Sequence, residues 1–349
     1  MSEPTSTARK RQRIDTATAQ DQDGPSVELP RKRDEEFWFE DGNIVLIVRD
    51  IEFRVYKGIL AKHSPVFGDM FSLPPGPPSE ATTAAADPCP VVHLSDSPED
   101  FRHVLRVCMP ETHLSYISFA ADKPSFDTVS RAFAVARMAH KYQMHDMLTL
   151  VVRYLKRSFL VDFRQWDASP FSCIPSPDEA VLAIGAVNLA RLIDEPSLLP
   201  TALFVCCSLK AADLLKGYTR EDGSVEHLAL EDIAGLLDAR GRLTEKTLFL
   251  AARIFALRVS KTCTAPDTCR EALEMMLEGV GRYAEMFVGP DSDVLSSWPE
   301  AYENSFLKLC CERCQVMLRE RDEKERRAVW DELPEIMGVQ VDNWVQDGP

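Results

Sequence analysis

Residues Ile51–Phe71 read IEFRVYKGILAKHSPVFGDMF, and this stretch decides the fold. Ile51, Phe53 and Val55 alternate with polar residues, the period of a half-buried strand. Gly58-Ile59-Leu60-Ala61 follows as a short turn of helix. Ser64-Pro65 then opens a second helix, because the serine oxygen can accept from a free backbone N–H and proline fits the first helical position. Met70-Phe71 carries that helix on.

On the N-terminal side, Ile44-Val45-Leu46-Ile47-Val48 is a continuous apolar, β-branched run that suits a buried strand. Arg49 and Asp50 fall in a tight connection, so the two strands read as a hairpin. Order is expected to begin at Phe37-Trp38-Phe39. Residues 1–35 hold few large apolar side chains and cannot offset the entropy of ordering, so a disordered tail is expected. Arg9, Lys10, Arg11 and Arg13 form one basic cluster in it, and Arg31, Lys32 and Arg33 another.

On the C-terminal side, six prolines over 73–90 (Pro74, Pro75, Pro77, Pro78, Pro88 and Pro90) predict a long surface loop. Val91-Val92-His93-Leu94 reads as a short strand, and Ser97-Pro98-Glu99-Asp100 repeats the capped helix start. Phe101, Val104, Leu105 and Cys108 share one face of that helix. Phe126, Val129, Phe133, Ala136 and His140 recur at steps of three and four, and Met147 to Leu155 suggests one more helix ending near Phe159. Past residue 165 no strand pattern is visible. Ser176-Pro177-Asp178-Glu179 is a capping box opening a helix to about Asp194. Further helices are expected at 200–215, 230–238, 244–259, 269–286 and 302–332. The expected fold class is α+β: a small β-sheet with surrounding helices over 36–160, then an all-α C-terminal region over 165–349.

This order of elements resembles a BTB/POZ domain. Phe53, Lys57, Leu60, Ala61, Ser64 and Phe67 match the family's strand-to-helix signature. ARMAHKYQMHDML (Ala136–Leu148) is similar to its fourth-to-fifth-helix junction. The whole layout also resembles BTB proteins abundant in mushroom-forming (basidiomycete) fungi, through FWFEDGNIVLIV, VVHLSDSPEDF, LCCERC and WDELPEIMG. Tyr56 stands where the family usually has His, and Asn43 where it has Asp.

The resemblance implies a protein–protein interaction module that homo-oligomerises or acts as a scaffold, with no catalytic cleft. It implies a homodimer through the first two helices, anchored by Val66, Phe67, Met70 and Phe71. Helical spacing leaves open whether each of these faces a partner or the domain's own core. Phe37, Trp38 and Phe39 pack on the sheet or cross to the partner. The alternative is a substrate adaptor of a cullin-type ubiquitin ligase. Against it, THLSYISFAADKPS (Thr112–Ser125) lacks the hydrophobic-x-Glu motif of cullin-binding BTB domains.

Composition narrows the classes. A net charge of −15 disfavours direct nucleic-acid contact. No run of eighteen apolar residues suggests a membrane span. No Gly-x-Ser-x-Gly, Walker-type loop or His-Glu-x-x-His occurs, so an enzyme is not expected. The polar N-terminus, and the absence of a Ser or Thr two residues after any of the four asparagines, lead to an intracellular expectation. Lys10, Arg11 and Arg13 form a Lys-Arg-x-Arg signal, which extends that expectation to a nuclear or nucleocytoplasmic location.

Ten cysteines are present. Cys311-x-x-Cys314 has metal-ligand spacing, and Cys263 and Cys269 flank Pro266 about forty residues earlier. Buried packing is the ordinary reading of such residues. A structural zinc held by Cys263, Cys269, Cys311 and Cys314 is the other, with redox chemistry a third. If zinc is right, the four sulfurs should converge to roughly 3.5–4 Å from one another.

Overall fold

The run Ile44–Val48 has no polar side chain to leave in water, and it becomes an interior strand of a four-stranded sheet. The computed structural model describes residues 31–73, 89–109, 125–168, 177–282, 294–298, 306–342 and 344. In the sheet, β2 (Ile44–Val48) pairs antiparallel with β3 (Ile51–Val55), in the register Val48↔Ile51 to Ile44↔Val55. Arg49, at a positive φ of 54°, and Asp50 close the hairpin as the sequence leads one to expect. β4 (Val91–Leu94) adds parallel to β2.

β1 (Lys32–Trp38) adds parallel to β3 on the other edge, so the strand order is β1-β3-β2-β4. This strand begins inside the stretch expected to be a disordered tail up to residue 35. Besides the pairing with β3 and the burial of Phe37, charge orders it. The Asp34 carboxylate accepts from the Glu36 and Phe37 amides at 3.0 and 2.8 Å and holds Arg102 at 2.6 Å, while Glu36 pairs with Arg106 at 2.6 Å.

Five helices surround the sheet: α1 (Lys57–His63), α2 (Pro65–Ser72), α3 (Pro98–Cys108), α4 (Phe126–Lys141) and α5 (His145–Leu155). Their starts follow capping chemistry. The Ser64 hydroxyl accepts from the Phe67 amide at 3.0 Å, Ser97 accepts from Asp100, and Ser125 forms a capping box with Thr128. Pro65 and Pro98 take the first helical positions. The core is aromatic: Phe67 stacks on Tyr142 with centroids 4.2 Å apart, and Phe101 meets Phe53 edge-on at 5.2 Å.

The C-terminal half is mostly helical. It runs through α6 (Phe163–Asp167), α7 (Pro177–Ala180), α8 (Leu182–Leu192), α9 (Leu199–Ser208) and α10 (Ala211–Lys216). It continues with α11 (Leu230–Ile254), α12 (Pro266–Arg282), α13 (Glu312–Asp331) and α14 (Leu333–Ile336). Every residue of α9 from Leu199 to Cys207 is buried, so this helix runs through the middle of the half. The Trp330 ring closes the far side, stacked on Trp344 at 5.1 Å and tilted against Trp166 at 5.4 Å.

The structure departs from the sequence reading in several places: the helix expected over 200–215 is divided at Leu209–Lys210 into α9 and α10, and that over 302–332 begins as a regular helix at Glu312. Helix α11 is continuous across 238–244, where two helices were expected around Gly241; an isolated glycine lowers helix stability without ending the helix. A two-stranded hairpin, β5 (Tyr218–Thr219) with β6 (Val225–Glu226), also interrupts the helices. Its strands are too short to show a period. Gly217 (φ 81°) and Gly223 (φ 79°) make its turns.

This hairpin joins the two halves. Tyr218 meets Phe133 of α4 edge-on at 6.3 Å and shares a 2.6 Å hydrogen bond with Ser130. Gly185 of α8 leaves room for that ring: a Cβ there would lie 2.9 Å from Tyr218 Cδ1.

Replacing Phe67 with Ala is expected to destabilise the chain by about 3–5 kcal/mol, the cost of emptying a packed aromatic site. Ser64→Ala is expected to cost about 0.5–2 kcal/mol, the range for a lost helix cap. Urea denaturation of the two variants checks both values; a Phe67→Ala loss under about 1 kcal/mol would place that ring outside the core.

Candidate functional site

The four cysteines singled out by spacing converge. Cys263 lies in the segment after α11, on a turn closed by its amide to Ser260 O at 3.0 Å. Cys269 sits in the first turn of α12. Cys311 is the N-cap of α13, in extended backbone, and Cys314 is in that helix's first turn. The Cys-x-x-Cys spacing works because the Cys314 amide reaches back to Cys311 O at 2.9 Å, which turns both sulfurs to one side. The N-termini of two helices thus point at one place, and their partial positive charge favours thiolates there.

The sulfurs of Cys263, Cys269, Cys311 and Cys314 all lie within 4.8 Å of one another. Cys263 and Cys311 stand 3.7 Å apart, close to the edge of about 3.8 Å that a tetrahedron with ~2.3 Å metal–sulfur bonds requires. Backbone amides complete the surroundings: Cys311 N–H donates to Cys269 Sγ at 3.3 Å and Ser260 N–H to Cys314 Sγ at 3.4 Å. A hydrogen bond with the Thr264 backbone is the chief influence that draws the Cys311 thiol down to about 5. Burial pushes Cys269 and Cys314 up, and Cys310, buried beside them, up to about 12. Four sulfurs in this arrangement could hold a metal ion, and a closed four-ligand set leaves no open position for a reacting molecule. Ser260 and Thr264 escaped the sequence reading; their one signal is the run SKTCT around Cys263.

The residues expected at a dimer interface divide into two groups. Phe37 and Phe67 are 0 % exposed and belong to the chain's own core, which removes them from the surface offered to a partner. Phe67 is held there by the Ser64 cap and the Tyr142 ring, and Phe37 by the Asp34 turn. Val66, Met70 and Phe71 are only partly buried, with Leu73 beyond them 70 % exposed. Trp38 is half-buried with the Arg33 guanidinium 4.3 Å from its ring, and Phe39 stacks on Tyr56 at 5.3 Å. Lys10, Arg11 and Arg13 lie outside the described residues, as does most of the proline-rich loop over 73–90.

A charged seam lies where the β5–β6 hairpin meets α3 and α4. Arg220 pairs with Asp100, Arg137 with Glu226 at 2.9 Å, and Glu221 with His103 at 2.7 Å. Burial holds the His103 imidazole below its usual value, although Glu221 pulls the other way. It raises the Asp100 carboxyl against the pull of Arg220.

Comparison with known proteins places this geometry. Residues 39–159 match the family model of the BTB/POZ domain, which takes in β2 to β4 and α1 to α5. BTB/POZ domains mediate protein–protein interaction and are not a catalytic family. A search of curated proteins finds no match to the chain.

His103 gives the seam a pH dependence. Glu221, Arg106 (3.1 Å from Nδ1) and Asp100 face it. Its proton binds less readily in the folded chain than in the unfolded one. Stability is therefore full above the unfolded value of about 6.5 and falls as pH drops through it. Melting is expected at a lower temperature near about pH 5.5 than near about pH 7.5, with the gap narrowed in His103→Gln. An unchanged gap in the variant would exclude this histidine.

Proposed function

We propose that the chain is a homo-oligomerising scaffold, in which the BTB/POZ domain pairs two copies and a structural zinc stiffens the helical half. The observation that carries the pairing is the outer face of α2. Val66 and Met70 on α2 and Leu73 just past its end follow one another at steps of four and three; Val66 and Met70 touch the edge of the core beside the fully buried Phe67 yet stay partly exposed, and Leu73 is largely exposed. A two-fold contact needs one self-complementary apolar patch, and Met and aromatic side chains suit the centre of such a patch. Phe71, stacked on Phe67 at 5.6 Å, borders the same face. Trp38 and Phe39, half-buried on the domain's outer strand and the loop after it, are the further candidates.

The zinc reading rests on the convergence of four sulfurs from two separate segments. Soft thiolates in a tetrahedral set suit zinc, and closure by four protein ligands suits a structural role. The ion would tie the segment after α11 to the starts of α12 and α13.

Light scattering of the full chain at micromolar concentration is expected to give twice the 39.2 kDa chain mass. Val66→Asp with Met70→Asp is expected to give the single mass with unchanged helical circular dichroism. A monomeric unmodified chain, or a double variant that stays dimeric, would contradict the pairing. Elemental analysis of the purified chain is expected to find about one zinc, lost in Cys311→Ser or Cys314→Ser with a drop in melting temperature. Metal-free protein whose melting ignores both substitutions would remove the zinc.

A further inference from the structure

The four sulfurs of the cysteine cluster differ in access to solvent. Cys269 and Cys314 are 0 % exposed, and each sulfur also accepts a backbone N–H. Cys310 is buried as well. Cys263 and Cys311 are the partly exposed pair, and their sulfurs are the two that lie 3.7 Å apart. Neither lies in a helix interior: Cys311 is the N-cap whose carbonyl begins the α13 ladder. Cys263 is on a turn and Cys311 is the extended N-cap of α13, so closing the pair moves only a turn and the first hydrogen bonds of one helix. A disulfide needs a sulfur–sulfur distance of about 2.05 Å, a closure that two such positions can supply.

We propose that Cys263 and Cys311 are the site of an oxidative modification: a hydroperoxide converts them to a disulfide, which removes two of the four metal ligands and releases the ion. The release rests on the metal reading above, while the disulfide itself does not. One of the two thiolates attacks an oxygen of hydrogen peroxide. The S–O bond forms, the O–O bond breaks, and hydroxide leaves to take up a proton as water. The second thiolate then attacks the sulfenic sulfur, forming the S–S bond and expelling a second hydroxide. The two sulfurs together lose two electrons and the peroxide gains them; the metal keeps its oxidation state. Left with Cys269 and Cys314 alone, zinc has half its ligand set and dissociates. A dithiol reductant reverses the step, after which the four thiolates can bind metal again.

The test treats the purified full-length chain with hydrogen peroxide, follows zinc with a metallochromic dye, and maps disulfides by mass spectrometry without reduction. The expected result is a Cys263–Cys311 disulfide, with about one zinc released per bond formed and recovery after reduction with added zinc. Cys89→Ser, which removes a partly exposed thiol of the BTB/POZ domain, is expected to leave both signals unchanged. Peroxide that joins a different pair, yields only overoxidised cysteine, or leaves the zinc-loaded chain intact would overturn the modification. A disulfide at Cys263–Cys311 with the zinc still bound would also overturn it. If the chain proves metal-free yet Cys263 and Cys311 still join first, the modification stands and the zinc reading falls.

Discussion

Ser64 sets the geometry on which the rest of the N-terminal domain depends. Its hydroxyl accepts from the Phe67 amide at 3.0 Å and donates to the Tyr142 carbonyl at 2.6 Å. One buried side chain thus caps α2 and ties it to the end of α4. These two hydrogen bonds fix the roll of α2 about its own axis. Phe67 then points inward onto Tyr142, while Val66 and Met70, packed on the edge of the core, keep part of their surface in solvent. A residue without the hydroxyl would leave the Phe67 amide and the Tyr142 carbonyl to find other partners inside the protein, where unmet polar groups are costly.

The same economy recurs at two other places where remote segments meet. In the helical half, Asp322 and Arg326 pair at 2.8 Å with almost no exposure, and Arg326 reaches Asp167 of α6 at 2.6 Å. The Trp298 amide donates to the same Asp322 carboxylate at 3.0 Å. Buried ion pairs add little net stability by themselves, but removing one partner strands the other charge, so such groups hold one arrangement against alternatives. At the seam between the halves, Arg220, Arg137, Asp100, Glu226 and His103 play this part around the apolar anchor Tyr218.

Much of this was legible in the residues, and the gaps have physical causes. The β2–β3 hairpin, the capped starts of α2 and α3 and the periodic α4 each carry a local signal that the tertiary structure agrees with. The cysteine cluster was legible because four thiols in two short segments stand out from their surroundings. β1 was hidden because its order depends on Asp34 and Glu36 finding arginines on α3, a partnership invisible along the chain. The β5–β6 hairpin was hidden because two-residue strands have no period, and only Gly217 and Gly223 hint at it. The inward turn of Phe67 and the outward turn of Val66 could not be told apart by helical spacing. That choice is made by Ser64 and Tyr142, seventy-eight residues apart.

The central claim is that the outward face of α2 is where two copies meet. Hydrogen exchange of the full chain, read by mass spectrometry across a dilution series, tests it most directly. Amides of Val66–Leu73 should be protected at high concentration and exchange faster as the chain is diluted, while those of α9 stay unchanged. Concentration-independent exchange throughout Val66–Leu73, alongside protection that tracks dilution in some other segment, would contradict the account.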